Sequence, residues 1–333
     1  MSDYPNWLEQ IPRASLGHLP TPLEPLDRLS EELGGPRIWL KRDDCTGLAT
    51  GGNKTRKLEY LMAEALAANA SHVITFGAVQ SNHARQTAAA CARLGLPCVL
   101  VLSRQVPWPH AGYESSGNIL LDRLAGADVH VVEADEVRAA ARAIIDDIRA
   151  GGGAPYVIPA GGSNATGALG YVRCAYELQA QCASLGIHPQ RVVHASSSAG
   201  TQAGLVYGFA RAGADMRSHG INVYHAEPGR LEDGVRHIVG DLAERFGAAQ
   251  EPAYAFEHRF VGDGYGIPSP AALDAIRMAA GLEGVLFDPV YSGKALGALI
   301  DLISIGDCEG MDDIVMLHTG GAAALAVYDT AFG

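Results

Sequence analysis

The feature that most constrains the fold is the repeated succession of a short apolar strand and a helix. Strands are predicted where a few apolar residues run together, and helices where apolar residues return every three or four positions. This alternation is typical of α/β proteins with parallel sheets. The predicted strands span 73–76, 98–102, 128–132, 156–158, 191–195, 222–226 and 314–317, and the predicted helices span 54–68, 81–94, 117–124, 136–150, 169–183, 201–211, 230–247, 270–282 and 292–304.

The length of the chain indicates its number of domains, and its net charge excludes some classes of partner. A chain of 333 residues has room for two domains of roughly 150 residues each. The glycine-rich break at 159–167 is the best candidate linker between them. A net charge of −12 without a basic run argues against nucleic acid or an anionic membrane surface as a partner.

Targeting signals and metal sites are not expected. No apolar stretch reaches the length of about 18 residues that a membrane span requires, and the N-terminus lacks the pattern of a secretory signal. The six cysteines show neither a CxxC pair nor metal-ligand spacing. We therefore expect a cytoplasmic protein with reduced thiols and no metal.

Lysine is scarce, and one lysine follows a glycine-rich turn. Only four of the 25 basic residues are lysines, and Lys54 begins a predicted helix directly after Gly51, Gly52 and Asn53. A helix N-terminus lowers the pKa of a nearby amine and favours its nucleophilic form. The turn is not a nucleotide phosphate loop, because Asn53 stands where that pattern requires lysine. An ion-paired lysine at a helix start is the structural alternative.

A second turn, Ser196–Gly204, leads from a predicted strand into a helix. Its backbone N–H groups, together with the hydroxyls of Ser198 and Thr201, suit one phosphate monoester. The spacing does not fit the dinucleotide fingerprint. An ordinary capped helix is the alternative.

Four further stretches offer hydrogen-bond donors and aromatic rings. The segment 80–85 (QSNHAR) suits a carboxylate, although Ser81 is also a good helix cap. Tyr265 and Tyr291 lie between Gly and Pro residues and are candidates to stack on a flat ligand or to move protons, with packing as the alternative. The Thr319 hydroxyl follows the last predicted strand. An amine, a single-phosphate site, stacking tyrosines and carboxylate donors together suit pyridoxal 5′-phosphate.

Seven stretches resemble the pyridoxal-phosphate enzymes of the D-cysteine desulfhydrase, L-cysteate sulfo-lyase and 1-aminocyclopropane-1-carboxylate deaminase family. They extend from about Leu16 to Ala326 and read LGHLPTPLEPLDRL, LKRDDCTGLATGGNKTRKLEYL, QSNHARQTAA, SAGTQAGL, GYGIP, DPVYSGK and HTGG. The resemblance implies the two-domain α/β fold of tryptophan synthase β-like enzymes (fold type II), with a mostly parallel, helix-flanked sheet in each domain. It implies a smaller domain over 54–161, a larger cofactor-binding domain over 1–53 plus 162–333, and a homodimer.

The resemblance also implies roles for individual residues. Lys54 is similar to the family's Schiff-base lysine, and Asn82 to the residue that meets the cofactor's phenolic oxygen. The implied phosphate site comprises Ser198, Ala199, Gly200 and Thr201, and the implied substrate-binding residues are Gln80, Ser81, Asn82 and His83. The implied catalytic residues are Lys54, Tyr291, Tyr265 and Ser81.

Two hydroxyl residues separate the branches of the family. This chain has Ser292 and Thr319, as in the desulfhydrases, where the cyclopropane deaminases have Glu and Leu. Either hydroxyl is a candidate partner of the pyridine nitrogen. Because a hydroxyl does not stabilise a pyridinium as a carboxylate does, the cofactor is expected to be a weaker electron sink.

A weak electron sink favours α,β-elimination of a sulfur group. D-Cysteine, giving pyruvate, sulfide and ammonia, is therefore the first candidate substrate. L-Cysteate, giving pyruvate, sulfite and ammonia, is the second. A 1-aminocyclopropane-1-carboxylate deaminase or a non-catalytic phosphometabolite-binding protein ranks below both. The loop at 103–113 departs from the relatives at Trp108 and His110 and bears on the choice of substrate, since it is a candidate to approach the substrate.

Overall fold

The structure is a computed structural model that describes residues 4–227, 229–249 and 253–333. Ahead of the glycine-rich turn, the chain forms α1 (Asn6–Glu9), β1 (Leu23–Pro25), α2 (Asp27–Leu33) and β2 (Arg37–Arg42). The next elements are α3 (Lys54–Ala67), β3 (His72–Ala78), α4 (Asn82–Leu94), β4 (Cys98–Ser103), α5 (Asn118–Leu124), β5 (Asp128–Val132), α6 (Val137–Ala150) and β6 (Pro155–Val157). The remainder forms α7 (Ala165–Leu185), β7 (Arg191–Ser196), α8 (Gly200–Ala212), β8 (Arg217–Asn222), α9 (Gly229–Phe246), β9 (Tyr254–Glu257), α10 (Pro270–Glu283), α11 (Ser292–Ser304) and β10 (Asp313–His318).

The strands form two sheets. The smaller sheet has the order β5-β4-β3-β6, and all of its strands are parallel. The larger sheet has the order β1-β2-β10-β7-β8-β9 and is parallel except at β1, which pairs with β2 in the antiparallel sense. The predicted α/β class with two mostly parallel sheets is confirmed. The proposed domain boundaries at 53/54 and 161/162 stay a prediction.

Apolar runs explain the buried strands. Every residue of β4 is buried, because this strand lies between two others and is covered by helices on its faces.

Helix α4, which follows β3, begins and ends where its sequence indicates. The Ser81 hydroxyl accepts a hydrogen bond from the Ala84 N–H, and Gly95 ends α4 in the left-handed conformation.

One predicted strand is wrong. The strand expected at 222–226 lies at Arg217–Asn222 instead, and its first residues are polar. The chain turns after Asn222, because the Asn222 side-chain oxygen accepts hydrogen bonds from the N–H groups of Tyr224 (3.1 Å) and His225 (2.9 Å). Strands β1, β2 and β9 were not predicted. They are short or carry charged residues, which hides their strand pattern.

Four buried charges join β2 to α3 and α7. Arg56 donates to Asp43 (2.8 Å) and to Glu177 (2.8 Å), and Lys41 forms an ion pair with Glu177. The side chains of all four residues are at most 2% exposed. The network fixes the start of α3, which carries Lys54. Across the described ranges, no helix is long and apolar enough to cross a bilayer.

Candidate active site

A cavity of about 240 Å³ lies at the carboxyl ends of strands from both sheets. This is where α/β folds generally bind their ligands. Ten of the residues predicted for the site line it: Lys54, Ser81, Asn82, His83, Ser198, Ala199, Thr201, Tyr265, Tyr291 and Thr319. Residues far apart in the sequence therefore meet in one cavity.

Lys54 enters the cavity from the first residue of α3. The turn before it requires glycine, because Gly52 has a φ of +129° and a Cβ atom there would lie 2.5 Å from the Gln86 amide. The Lys54 Nζ atom donates to the Asn53 side-chain oxygen at 2.9 Å. Burial lowers the pKa of Lys54 to about 8, and Asp288 acts in the opposite direction. The amine therefore loses its proton more readily than an exposed lysine.

The predicted phosphate site lies at the start of α8. Ala199 has a φ of +68°, which brings the chain sharply from β7 into the helix. The first N–H groups of a helix have no acceptor within the helix, so they are available to an anion. Ser198 and Thr201 add hydroxyls that line the cavity, and the Ser198 Oγ atom lies 2.7 Å from the Ser163 Oγ atom.

Lys57 is a residue that the sequence reasoning missed. Its buried Nζ atom donates to the Gly161 carbonyl (3.1 Å) and to the Ser163 hydroxyl (3.3 Å), two neutral groups. A Cβ atom on Gly200 would lie 3.0 Å from this nitrogen, so the lysine lies directly behind the turn that begins α8. Burial and the neighbouring Lys54 lower the pKa of Lys57 well below its ordinary value. The available signal was its position one helical turn after Lys54.

The start of α4 supplies the donors expected for a carboxylate. Ser81 uses its oxygen as the helix cap, so its O–H remains free to donate. The Asn82 side-chain oxygen accepts from Asn118 (3.0 Å), which leaves the Asn82 amide N–H groups as donors.

His83 is held in one tautomer. The Thr75 hydroxyl donates to the Ile158 carbonyl (2.9 Å), so the Thr75 oxygen accepts from His83 Nε2 (2.8 Å). The His83 Nδ1 atom is buried without a partner in the described structure. Burial lowers the pKa of His83 well below its ordinary value, with Lys54 and Lys57 adding to the effect. His83 is therefore neutral and carries an unpaired acceptor.

Two tyrosines form a hydroxyl pair. The rings of Tyr265 and Tyr291 lie 5.8 Å apart, and their hydroxyls share a hydrogen bond. Burial raises the pKa of both phenols above the ordinary value of 10.0. Both phenols are therefore protonated at neutral pH.

Three predicted site residues do not line the cavity. Gly200 lies just behind it, and Gln80 donates to the carbonyls of Tyr113 (2.6 Å) and Ser116 (2.9 Å). Ser292 is fully buried, and its hydroxyl donates to Asp288 at 2.6 Å. Gln80 thus holds the loop that precedes α5, and Ser292 belongs to the capped start of α11.

Other lining residues were not predicted. Asn53 joins two motifs, because its amide donates to the Thr201 hydroxyl at 3.1 Å. Tyr224 and His225 also line the cavity, and the Tyr224 ring lies 4.7 Å from that of Tyr265. Both fall in the turn that was mistaken for a strand. Gln105 lines the cavity from the loop after β4.

Trp108 and His110 of that loop contact the C-terminal segment. The Trp108 indole donates to the Val327 carbonyl at 2.8 Å, and His110 lies 3.2 Å from Asp329. Neither residue lines the cavity.

Residues 14–320 match the model of the family described as pyridoxal-phosphate dependent enzyme. The chain belongs to this family. It is 43% identical to the 1-aminocyclopropane-1-carboxylate deaminase of Burkholderia cenocepacia over 98% of each chain. The crystal structure of an ACC deaminase homologue matches with a TM-score of 0.87 and 36% identity, over 97% of this chain and 96% of the other. The crystal structure of a T.th. threonine deaminase shares the fold, with a TM-score of 0.65 and 20% identity over 90% of this chain and 92% of the other.

The predicted family, fold type II and cofactor are confirmed by these matches. The residues present also fit pyridoxal phosphate. The buried Lys57 amine has only neutral partners, and a phosphate at the start of α8 would supply the missing negative charge and favour its protonated form. A primary amine, Lys54, faces the same cavity. Both ends of the cofactor thus find suitable groups: Lys54 would meet the aldehyde, and the start of α8 with Lys57 would meet the phosphate.

Proposed function

We propose that the protein is a carbon–sulfur lyase that acts on a cysteine-like amino acid. D-Cysteine and water would give pyruvate, hydrogen sulfide and ammonia. The observation that carries this proposal is the chemistry of the cavity wall, where none of the described lining residues has a carboxylate. Asp288 lies near Lys54, but its oxygens accept hydrogen bonds from the N–H groups that begin α11.

Bound pyridoxal phosphate supplies a ring that withdraws electrons from the substrate's α-carbon. A carboxylate beside the pyridine nitrogen would strengthen that withdrawal, whereas a hydroxyl would not. We assign the Thr319 hydroxyl to this nitrogen, because Thr319 lines the cavity while Ser292 is bonded to Asp288. Elimination of sulfur needs less withdrawal than opening a cyclopropane, since the sulfur itself leaves with the electron pair.

The remaining roles follow from the protonation states. Lys54, with a pKa of about 8, would bind the cofactor and move the α-proton. Ser81 and the first N–H groups of α4 would bind the substrate carboxylate, and the Asn82 amide would donate to the cofactor's phenolic oxygen. The protonated hydroxyls of Tyr265 and Tyr291 would supply a proton to the departing group.

Deamination of 1-aminocyclopropane-1-carboxylate is the second candidate. The observation that favours it is the 43% identity to a deaminase of that name over nearly the whole chain. L-Cysteate ranks third, because a sulfonate would need a cation. Arg104 is bonded to Glu114 (2.6 Å) and Glu133 (3.1 Å), and Lys54 is the sole lysine or arginine among the described lining residues.

A substrate panel tests this proposal. D-Cysteine, L-cysteine, L-cysteate, D-serine and 1-aminocyclopropane-1-carboxylate are incubated separately with the holoenzyme, and pyruvate, 2-oxobutyrate, sulfide and sulfite are measured. We expect pyruvate and sulfide from D-cysteine at the highest kcat/KM. Sulfite from L-cysteate as the main product would favour the sulfo-lyase, and inactivity on all sulfur substrates would refute the lyase proposal.

The role of Lys54 has its own test. Borohydride reduction of the holoenzyme followed by peptide mapping should place the phosphopyridoxyl label on Lys54. Lys54→Arg should keep the fold and lose both the label and turnover, because a guanidinium does not condense with an aldehyde. A label on Lys57 instead would overturn the assignment.

We also propose a cytoplasmic homodimer with a small amino acid as substrate, as the family resemblance implies. Sedimentation velocity at several protein concentrations tests the dimer, and a monomer at all concentrations would contradict it.

A further inference from the structure

Lys294 is a buried amine close to the site that has no role in the chemistry above. It lies in the first turn of α11, three residues after Tyr291, and its side chain is fully buried. The Nζ atom donates to the carbonyls of Val261 (2.6 Å) and Gly264 (3.0 Å). Both carbonyls belong to the loop 261–267, which carries Tyr265 and contains neither helix nor strand.

The loop 261–267 has few internal hydrogen bonds that could hold its conformation. Its internal backbone hydrogen bond joins the Ile267 N–H to the Gly264 carbonyl at 3.3 Å. The Tyr328 hydroxyl donates to the Gly266 carbonyl at 2.9 Å from outside the loop. Lys294 therefore satisfies the Val261 carbonyl, which would otherwise need water or a cation, and gives the Gly264 carbonyl a second donor.

The amine keeps its charge near neutral pH. Burial lowers the pKa of Lys294 to about 8, while Asp288 and Asp263 act in the opposite direction. No carboxylate in the described ranges forms an ion pair with it, so the two carbonyl dipoles are its direct partners. An ammonium between converging carbonyls occupies the kind of site in which proteins bind a monovalent cation.

We propose that Lys294 is a positioning residue whose ammonium acts as a built-in cation, holding the loop 261–267 so that the Tyr265 hydroxyl meets that of Tyr291. Tyr265 is the one residue of this loop that lines the cavity. The loop's dependence on Lys294 does not rest on the identity of the substrate. Only the expected effect on turnover rests on the proposed role of the tyrosine pair.

Hydrogen exchange of the holoenzyme measures the loop directly. The experiment compares the wild type with Lys294→Met, which keeps most of the side-chain volume, and Lys294→Ala, which leaves space. Amides within 261–267 should exchange roughly 10-fold faster or more in both variants, as the loss of hydrogen bonds from a charged donor implies. Strands β7 and β10 should exchange as in the wild type.

An added cation separates positioning from simple packing. Methylammonium should restore protection of the loop in Lys294→Ala with a saturable dependence, but not in Lys294→Met, whose side chain fills the space. Tetramethylammonium has the same charge but no N–H group, so it should restore nothing. The wild type should respond to neither salt.

Turnover should follow the same pattern. With the best substrate of the panel, kcat should fall by about 10- to 100-fold in both variants with little change in KM, since a misplaced group about 1 Å from its position can cost that much. Methylammonium should restore kcat only in Lys294→Ala. If no substrate is turned over, the proposed function fails, while the exchange result still decides the role of Lys294.

Three results would overturn the inference. Wild-type exchange of the loop in Lys294→Met would show that the ammonium is not needed. Equal rescue by tetramethylammonium would show a general salt effect. Loss of hydrogen-exchange protection in the sheets of both variants, even with methylammonium present, would show that Lys294 supports the whole fold and not this loop specifically.

Discussion

One additional carbon atom at Gly161 would meet Ser198, in the turn predicted to bind the phosphate. The φ of Gly161 is +70°, and a Cβ atom there would lie 2.3 Å from the Ser198 Oγ atom. Gly95 provides a matched control, because its φ is +71° and nothing lies within 4 Å of its Cβ position. The two glycines share the conformation and differ in their surroundings.

Alanine at each glycine should therefore give different results. Gly95→Ala should lower the free energy of unfolding by about 1 kcal/mol through the left-handed backbone, and Gly161→Ala by at least as much because its Cβ also meets Ser198. Only Gly161→Ala should also weaken pyridoxal phosphate binding, by roughly 10-fold or more, because it displaces a hydroxyl of the phosphate site. Titration of the apoenzyme by visible absorbance measures this affinity, and equal affinities in the two variants would contradict it.

Lys57 should contribute to binding of the cofactor's phosphate group and not to binding of its ring. Lys57→Met should weaken pyridoxal 5′-phosphate binding by about 10- to 100-fold, the range expected for a charge-assisted hydrogen bond to phosphate. Binding of pyridoxal, which lacks the phosphate, should change little. Equilibrium titrations with the two ligands provide the comparison, and an equal loss for both would exclude a specific phosphate contact.

The buried charges between β2, α3 and α7 make stability depend on pH. Burial alone would raise the pKa of Glu177, but Arg56 and Lys41 outweigh it and lower the value from 4.5 to about 2. A carboxyl whose pKa is lower in the folded state stabilises the protein above its unfolded value. This contribution is present above pH 4.5 and is lost as the pH falls from 4.5 to about 2.

Neutralising Glu177 should remove that dependence. Glu177→Gln should lower the free energy of unfolding at pH 7 by about 3–5 kcal/mol, because Lys41 stays buried without its carboxylate and Arg56 keeps only Asp43. The difference from the wild type should shrink below pH 4.5. Urea unfolding across this range measures it, with Glu114→Gln as the control. Glu114 is 44% exposed in its pair with Arg104, so its change should be under about 1 kcal/mol.

A helix or strand could be predicted from the sequence where its buried residues are apolar. Helices α3, α4 and α8 and strands β4 and β5 were placed within one or two residues, because their apolar residues follow one period. Strand β8 was missed because Arg217, Ser218 and His219 are polar although Ser218 and His219 are buried. Lys41 similarly interrupts the apolar pattern of β2. Its charge is compensated by Glu177, which is far away in the sequence.

The same limit applies to the site. Lys54, Thr201 and the tyrosines could be predicted from the turns that carry them. The surroundings of Lys57 and Ser292 could not be predicted, because they depend on partners such as Ser163 and Asp288 that only the tertiary structure brings near.

At the scale of the whole molecule, the loop after β4 is fastened to the C-terminal segment. Besides its bond to Val327, the Trp108 ring lies 5.0 Å from that of Tyr328, whose hydroxyl bonds to the Tyr265 loop. Trp108→Ala should lower the free energy of unfolding by about 2–3 kcal/mol, less than for a fully buried tryptophan because the ring is only half-buried. His110→Ala, which loses a partly exposed contact with Asp329, should cost less than about 1 kcal/mol.

Hydrogen exchange by mass spectrometry should locate the effect of Trp108→Ala. Amides of the loop and of residues 322–333 should exchange faster than in His110→Ala, while β7 and β10 keep their protection. Equal exchange in the two variants would show that Trp108 does not fasten the loop.

The most direct test of carbon–sulfur lyase activity is a competition in one tube. The holoenzyme receives D-cysteine and 1-aminocyclopropane-1-carboxylate at equal concentrations, and the initial rates of pyruvate and 2-oxobutyrate formation are measured together. Their ratio equals the ratio of the two kcat/KM values. Because none of the described residues that line the cavity has a carboxylate, pyruvate should predominate. Predominance of 2-oxobutyrate would contradict this prediction and identify ring opening as the reaction that this site favours.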